Sequence, residues 1–326
     1  MKKTILIPLL ILVAISCLES KHTLAVKLIN SFDAPVSDPR TSSIIYGTTD
    51  SALIMVNMQD TLSNRIYCYD FMGNPVDYIK LPADSISGST YGIHYLPESK
   101  LLTYSDGDIN LHYMNFDGHD KGKRKFTGSI ISLFVKVLEF QGKQYLMSWN
   151  PYEAWDFNSL VTQSTTLYRV ESDSLFPMRK RVFEKDLKEV MKGGSFSPGI
   201  MTWGLLLDSN LDHNMVLVDE KDKYYKVTFS TPDSVYAFRI KRSKEELMYS
   251  VYAGYDFLYL SIFKPNGKVA RASGVYDLRG KRICSSEQFH KLTDNAFIID
   301  IVGNKILVHN GKEKKIQVYE ISLINP

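Results

Sequence analysis

Hairpin signals recur along this chain at a nearly constant interval, and that period restricts the possible folds more than any other feature. Residues 64–81, NRIYCYDFMGNPVDYIKL, give a strand, a turn at Met72-Gly73-Asn74-Pro75 and a second strand. The pattern returns at 109–126 with a turn at Asp117-Gly118, and at 166–183 with a longer polar turn. It returns again at 213–229 around Glu220-Lys221-Asp222-Lys223, and at 258–277 around Pro265-Asn266-Gly267. IQVYEISL at 316–323 closes the series. Asn-Gly and Asp-Gly between alternating apolar runs are the strongest short-range hairpin signals. Landmarks at Ile66, Leu111, Leu167, Val216, Leu260 and Ile316 stand roughly 45–55 residues apart, close to the period of about 40–50 residues of a four-stranded propeller blade.

A further strand-like run precedes most of these hairpins, as at 51–58, 99–106, 143–150, 245–252 and 304–311. The predicted fold is therefore an all-β propeller with six blades, seven being the next count. A pair of β-sandwiches would not account for the even spacing. The 20 Tyr and 16 Phe suit strands. No Pro/Gly/Ser-rich linker divides residues 30–326, which predicts one propeller domain over 28–326. Two short helical insertions are expected. In FEKDLKEVMKGG (183–194), Phe183, Leu187, Val190 and Met191 share one helical face ahead of two glycines. In SSEQFHKL (285–292), Ser285 and Gln288 stand at capping-box spacing.

The N-terminus, MKKTILIPLLILVAISCLESK, has a different character. Lys2 and Lys3 precede an unbroken apolar run from Ile5 to Ile15. A membrane-spanning helix needs about 20 apolar residues, so this run is too short, but it has the charged start and apolar core of a secretory signal. It ends Ala14-Ile15-Ser16 and then presents Cys17. This exit resembles the lipobox of bacterial lipoproteins, although that family prefers Leu where this chain has Ala14. The resemblance implies a signal peptide over 1–16, lipidation of Cys17 and a tether over 17–27. Two or more acyl chains hold a protein stably on a membrane. Leu18 after the cysteine resembles outer-membrane sorting. The protein is therefore expected in the cell envelope, lipid-anchored at the outer membrane.

Lipobox and sixfold repeat together resemble the TolB-like six-bladed propeller lipoproteins of Gram-negative gut anaerobes. The likeness spans nearly all of the chain after Ser16, but it lacks the Trp-Asp and Tyr-Trp-Thr-Asp signatures of better-marked propellers. It implies a membrane-bound binding protein without an assigned reaction.

Loss of Lys2 and Lys3 with the signal lowers the formal charge from +3 to +1 (3 − 2). A near-neutral chain with interspersed charges lacks the electrostatic footprint of a nucleic-acid binder. With Cys17 assigned to lipid, Cys68 and Cys284 remain, both in apolar strand-like runs that favour separate buried thiols over a disulfide.

No chemical motif dominates. The seven histidines show no metal-ligand spacing, no Gly-x-Ser-x-Gly elbow occurs, and no cofactor is implied. SDGDIN (105–110) and DSNLDHN (208–214) are rich in oxygen donors but lack the order of an EF-hand loop, and fit turns better than calcium sites. The most suggestive segment is SWNPYEAWDFNS (148–159), which gathers Trp149, Tyr152 and Trp155 in a stretch expected to be irregular. Large aromatics supply contact area at low entropic cost. These three are the candidate ligand-binding residues, with at least one tryptophan expected at the mouth of a central channel.

Propellers present loops around a funnel, which suits binding without catalysis. The leading expectation is a non-catalytic envelope lipoprotein that binds a protein, glycan or peptide partner. One alternative is a metal-dependent enzyme of the lactonase or lyase kind, with acids or histidines converging in the channel. The other is a scaffold subunit of an envelope complex.

Overall fold

A computed structural model describes residues 23–33, 44–48, 52–57, 65–80, 91–105, 110–125, 133–155, 160–171, 174–186, 205–209, 214–243, 246–264, 268–293, 297–310 and 312–324. Strand β1 spans Thr23–Asp33. Sheet I contains β2 (Ile44–Thr48), β3 (Ala52–Asn57), β4 (Arg65–Asp70) and β5 (Pro75–Lys80). Sheet II contains β6 (Tyr91–Leu96), β7 (Leu101–Ser105), β8 (Asn110–Met114) and β9 (Asp120–Lys125). Sheet III contains β10 (Leu133–Phe140), β11 (Lys143–Trp155), β12 (Leu160–Glu171) and β13 (Ser174–Asp186). Sheet IV contains β14 (Leu205–Ser209), β15 (Met215–Glu220), β16 (Tyr224–Ser230) and β17 (Val235–Lys241). Sheet V contains β18 (Leu247–Ala253), β19 (Phe257–Phe263), β20 (Gly274–Asp277) and β21 (Arg282–Ser285), followed by helix α1 (Ser286–Leu292). Sheet VI joins β22 (Phe297–Val302), β23 (Lys305–Asn310) and β24 (Lys315–Ile324) to β1, in the order β1-β24-β23-β22.

Strand β1 thus leaves the N-terminal end of the chain to become the outer strand of the last sheet. It pairs antiparallel with β24 from Thr23↔Ile324 to Asp33↔Lys315. Each first strand touches the first strand of the next sheet, β2 to β6, β10, β14, β18 and β22, and β22 returns to β2. These contacts close a ring, and the fold is an all-β propeller. Thr23 to Lys27 belong to β1, because their backbones complete the edge of β24. They are strand where the sequence suggested tether.

Apolar seams hold the sheets together. Leu96, Leu111 and Tyr113 of sheet II pack with Val137, Leu146 and Val170 of sheet III. The opposite face of sheet III sets Leu138, Met147 and Leu167 against Leu205, Leu207 and Leu217 of sheet IV. Val216, Val218, Tyr225 and Phe229 of sheet IV continue into Met248, Leu258 and Leu260 of sheet V.

One turn recurs between third and fourth strands. In Asp70–Gly73, Asn115–Gly118 and Asp277–Gly280 the glycine N–H donates to the carbonyl of the Asp or Asn three residues earlier, at 3.0 Å each. The glycines have φ of +83°, +79° and +81°, the left-handed region that costs glycine least. The first turn also bears on the closing strand. A Cβ on Gly73 would lie 2.4 Å from the Phe32 ring of β1.

Helix α1 begins as its sequence predicts. Ser285 caps it, with its Oγ accepting from the Gln288 N–H while the Gln288 side chain accepts from the Ser285 N–H. The helix expected at 183–194 is corrected in its first four residues, where Phe183–Asp186 pair with β12 as the end of β13. Residues 187–194 lie outside the described residues. Within the polar turn expected in 166–183, Glu171 of β12 pairs with Ser174 of β13, and residues 172–173 lie outside the described residues. Cys68 and Cys284 are buried in sheets I and V and are not joined in a disulfide. Burial raises the Cys284 thiol pKa, which keeps it protonated and unreactive.

Gly73→Ala should lower stability by about 1–3 kcal/mol, through a strained φ and a clash with Phe32. Gly122→Ala, also at positive φ (+110°) but with nothing within 4 Å of the added carbon, should cost less in urea unfolding. Equal losses would show that the contact with β1 contributes nothing.

Candidate functional site: the axis and an inter-sheet cleft

Because the first strands ring the axis, a side chain that reaches across them must point into it. Lys136 on β10 does so. Its Nζ lies 2.7 Å from Asp208 Oδ1 on β14, the next first strand. Asp208 also accepts the Ala253 N–H of β18 at 2.8 Å and is 1 % exposed. Asp300 on β22 lies opposite β10 in the ring, and its charge acts on Lys136. Burial pushes the Lys136 pKa down, but the Asp208 and Asp300 carboxylates more than reverse this, so it lies above the ordinary lysine value. Tyr252 on β18 donates to the Ile298 carbonyl at 3.4 Å. Burial, with the Asp300 charge adding to it, pushes its phenol pKa far up.

His94 on β6 completes the group. Its Nε2 is sealed from solvent without a hydrogen-bond partner. Burial, assisted by the Lys136 charge, lowers its pKa to about 3, so the ring is neutral at physiological pH. The first strands β6, β10, β18 and β22 each shift register at a bulge, between Tyr91 and Ile93, Phe134 and Lys136, Met248 and Ser250, and Ile298 and Asp300. The axis is therefore lined by charged and polar groups. Its best-placed acid, Asp208, is neutralised by an ammonium.

A second feature lies between sheets II and III, where their first turns meet. Glu139 is 5 % exposed, and its Oε2 accepts the N–H groups of Glu98 and Ser99 at 2.9 and 3.0 Å. Its Oε1 accepts from Gln144 Nε2 at 3.2 Å, and Gln144 in turn accepts from the Tyr113 hydroxyl at 3.0 Å. Glu98 returns the contact by accepting the Gly142 N–H at 2.6 Å. Above this clamp opens a cleft of about 690 Å³ that Arg124, Lys143, Arg169 and Glu171 also line. Arg169 is bound by Glu171, with its Nε 2.7 Å from Oε1. Arg124 stacks over the Tyr113 ring at 5.3 Å. Among the described residues, no acid pairs with Arg124 or Lys143.

Trp149 does not provide the exposed platform expected of it. It is 3 % exposed, on a strand whose neighbours Leu133 and Thr165 flank it in the sheet. The stretch expected to be irregular is mostly the regular strand β11, broken only by a bulge between Asn150 and Ala154. Tyr152 and Trp155 lie on β11, but their side chains, like Cys17, fall outside the described residues. Sequence reasoning missed Lys136, because one lysine inside LFVKVLEF looks like the wet face of a strand.

No protein-family model matches the chain, and no curated protein matches it. Among solved structures, the chain is similar to BamB from Moraxella catarrhalis, at 9% identity and a TM-score of 0.39, over 91% of this chain and 98% of that one. It is also similar to the Dos1 propeller, at 9% identity and a TM-score of 0.37, over 83% of this chain and 75% of that one.

The neutral His94 implies a definite acid response. Below pH 6.5 the unfolded chain takes up a proton at this residue, and the native chain does not until about pH 3. Stability should fall as pH drops through that window, by up to about 1.4 kcal/mol per pH unit from this residue. His94→Gln should flatten the slope in urea midpoints between pH 6.5 and 4. An unchanged slope would refute the assignment.

Proposed function

We propose that this protein is a non-catalytic binding propeller of the cell envelope, of the TolB-like kind. On this reading each of its six sheets is a blade, and a lipid on Cys17 holds it at the outer membrane. The cleft between sheets II and III carries the reading. Its acids are occupied by backbone N–H groups or by Arg169, whereas Arg124 and Lys143 keep their charges for a ligand. A site with fixed acceptors and two available cations suits a polypeptide segment carrying a carboxylate. The backbone of such a segment can meet the polar walls while its acid meets the cations. Trp149, buried in sheet III, then acts as packing, and the cleft takes the ligand-binding role expected of it.

The metal-enzyme alternative needs free acids at the axis. Asp208 is instead held by Lys136, whose ammonium occupies the place a cation would take beside that carboxylate.

The tether has a simple signature. Cys17→Ser should move the protein from the membrane fraction to the soluble fraction, and full membrane retention would count against lipidation. For the cleft, binding to a peptide array should favour acid-bearing peptides. Arg124→Glu with Lys143→Glu should weaken the best peptide by about tenfold or more with little change in thermal midpoint. Undiminished binding by the double variant would sink the cleft assignment, and a metal-dependent rise in that midpoint would favour the enzyme.

A further inference from the structure

We propose that the groove between the outer halves of sheets III and IV docks an extended, acidic polypeptide segment, at a site separate from the cleft above. The groove is defined by pairing. Leu167 of β12 packs towards sheet IV, and Arg179 and Arg181 of β13 stand opposite Leu167 and Thr165 on that same face. Across the groove Asp219 of β15 is directly opposite Lys226 of β16, which is opposite Arg239 of β17. Cross-strand partners share a face of the sheet, so all five side chains belong to one seam.

The charge in this seam is one-sided. Asp219 is buried at 1 % exposure. It accepts Arg179 Nη1 at 2.9 Å and Arg181 Nε at 2.7 Å, and Lys221 Nζ lies 2.8 Å away. One carboxylate cannot neutralise three cations, and about a third of each cationic side chain remains in solvent. Lys226 and Arg239 are exposed, and no acid among the described residues pairs with either. The seam thus gathers five cations around one acid in a chain whose formal net charge is only +3. Composition alone does not produce that surplus, and an anionic partner would relieve it.

The shape of the seam selects the partner. Among the described residues, β13 is the outer strand of sheet III, and it is 13 residues long. Proteins usually blunt such edges with charge, brevity or proline. Strand β9 reads DKGKRK, β21 has 4 residues and β5 opens with Pro75. Strand β13 carries Pro177 and several charges as well, yet it keeps Phe176 and Val182 more than half exposed, and Val235 on the facing rim is 68 % exposed. Beyond Pro177, which has no N–H to donate, its edge offers backbone donors and acceptors for a further strand. A peptide with alternating acidic and apolar residues would match both the edge and the cations. A lipid headgroup has no backbone to pair with that edge.

The test uses the full chain and a fluorescent peptide of alternating Glu and Val, with an alternating Lys and Val peptide and phosphatidylglycerol vesicles as comparators. Anisotropy should show saturable binding of the Glu-Val peptide that weakens as salt is raised. The double variant Lys226→Gln, Arg239→Gln, which sets no new acid opposite Asp219, should lose about tenfold in affinity with only a small drop in melting temperature from the loss of the Arg239 stack on Tyr224. Both measurements are repeated in the Arg124→Glu, Lys143→Glu background, where the cleft cations are gone, so that binding which persists there and is lost on changing Lys226 and Arg239 belongs to the groove and not to the cleft. The proposal is overturned if the Glu-Val peptide does not bind, if the Lys-Val peptide binds as well, if the groove variant keeps its affinity, or if only vesicles bind.

Discussion

Everything in this fold depends on closing the ring, and one pairing closes it. Strand β24 has a partner on one side only until β1 arrives from the other end of the chain. Without β1 the last sheet would expose a long edge of unpaired N–H and C=O groups. The same strand also binds forward to sheet I, where the Asn30 side chain donates to the Phe71 carbonyl at 3.1 Å and Phe32 rests on Gly73. One N-terminal segment therefore joins the last sheet to the first, and only after both ends of the chain exist.

Four other seams carry polar ties of the same kind. Glu98 and Glu139 exchange contacts between sheets II and III, and Arg181 reaches Asp219 between III and IV. Asp208 accepts from Ala253 between IV and V, and Tyr252 donates to Ile298 between V and VI. Apolar seams alone tolerate sliding, because leucine against leucine has little preferred register. A buried carboxylate left without its donors costs several kcal/mol by the usual penalty for an unpaired buried charge. These ties therefore penalise misplaced neighbours more than they strengthen correct ones.

Much of this was legible in the sequence, but with a slipped phase. The landmarks Ile66, Leu111, Leu167, Val216, Leu260 and Ile316 fall one to a sheet. Yet Val216 and Leu260 lie in second strands, and the rest lie in third strands. The truer repeat is the Asp/Asn-x-x-Gly turn at 70–73, 115–118 and 277–280, whose glycines need positive φ. Strand β1 was not legible as strand, because its pattern gives no sign of a partner at the far end of the chain. The cationic seam was not legible either. Arg179, Arg181, Lys226 and Arg239 look like ordinary solvent faces until register sets them around Asp219.

The axis shows why polar chemistry there escapes a periodic reading. Six strands converging on one line crowd each other, and a bulge relieves crowding by bending and twisting a strand. Four of the first strands bulge among the described residues. A bulge inserts one residue, so the alternation of inside and outside is reset at that point. Lys136, Ser250 and Asp300 each follow directly after such a reset. A reader who carries the alternation through from Leu133 assigns Lys136 to the wrong environment. The ammonium instead meets Asp208 and the field of Asp300, and that placement turns a misplaced charge into the centre of the ring.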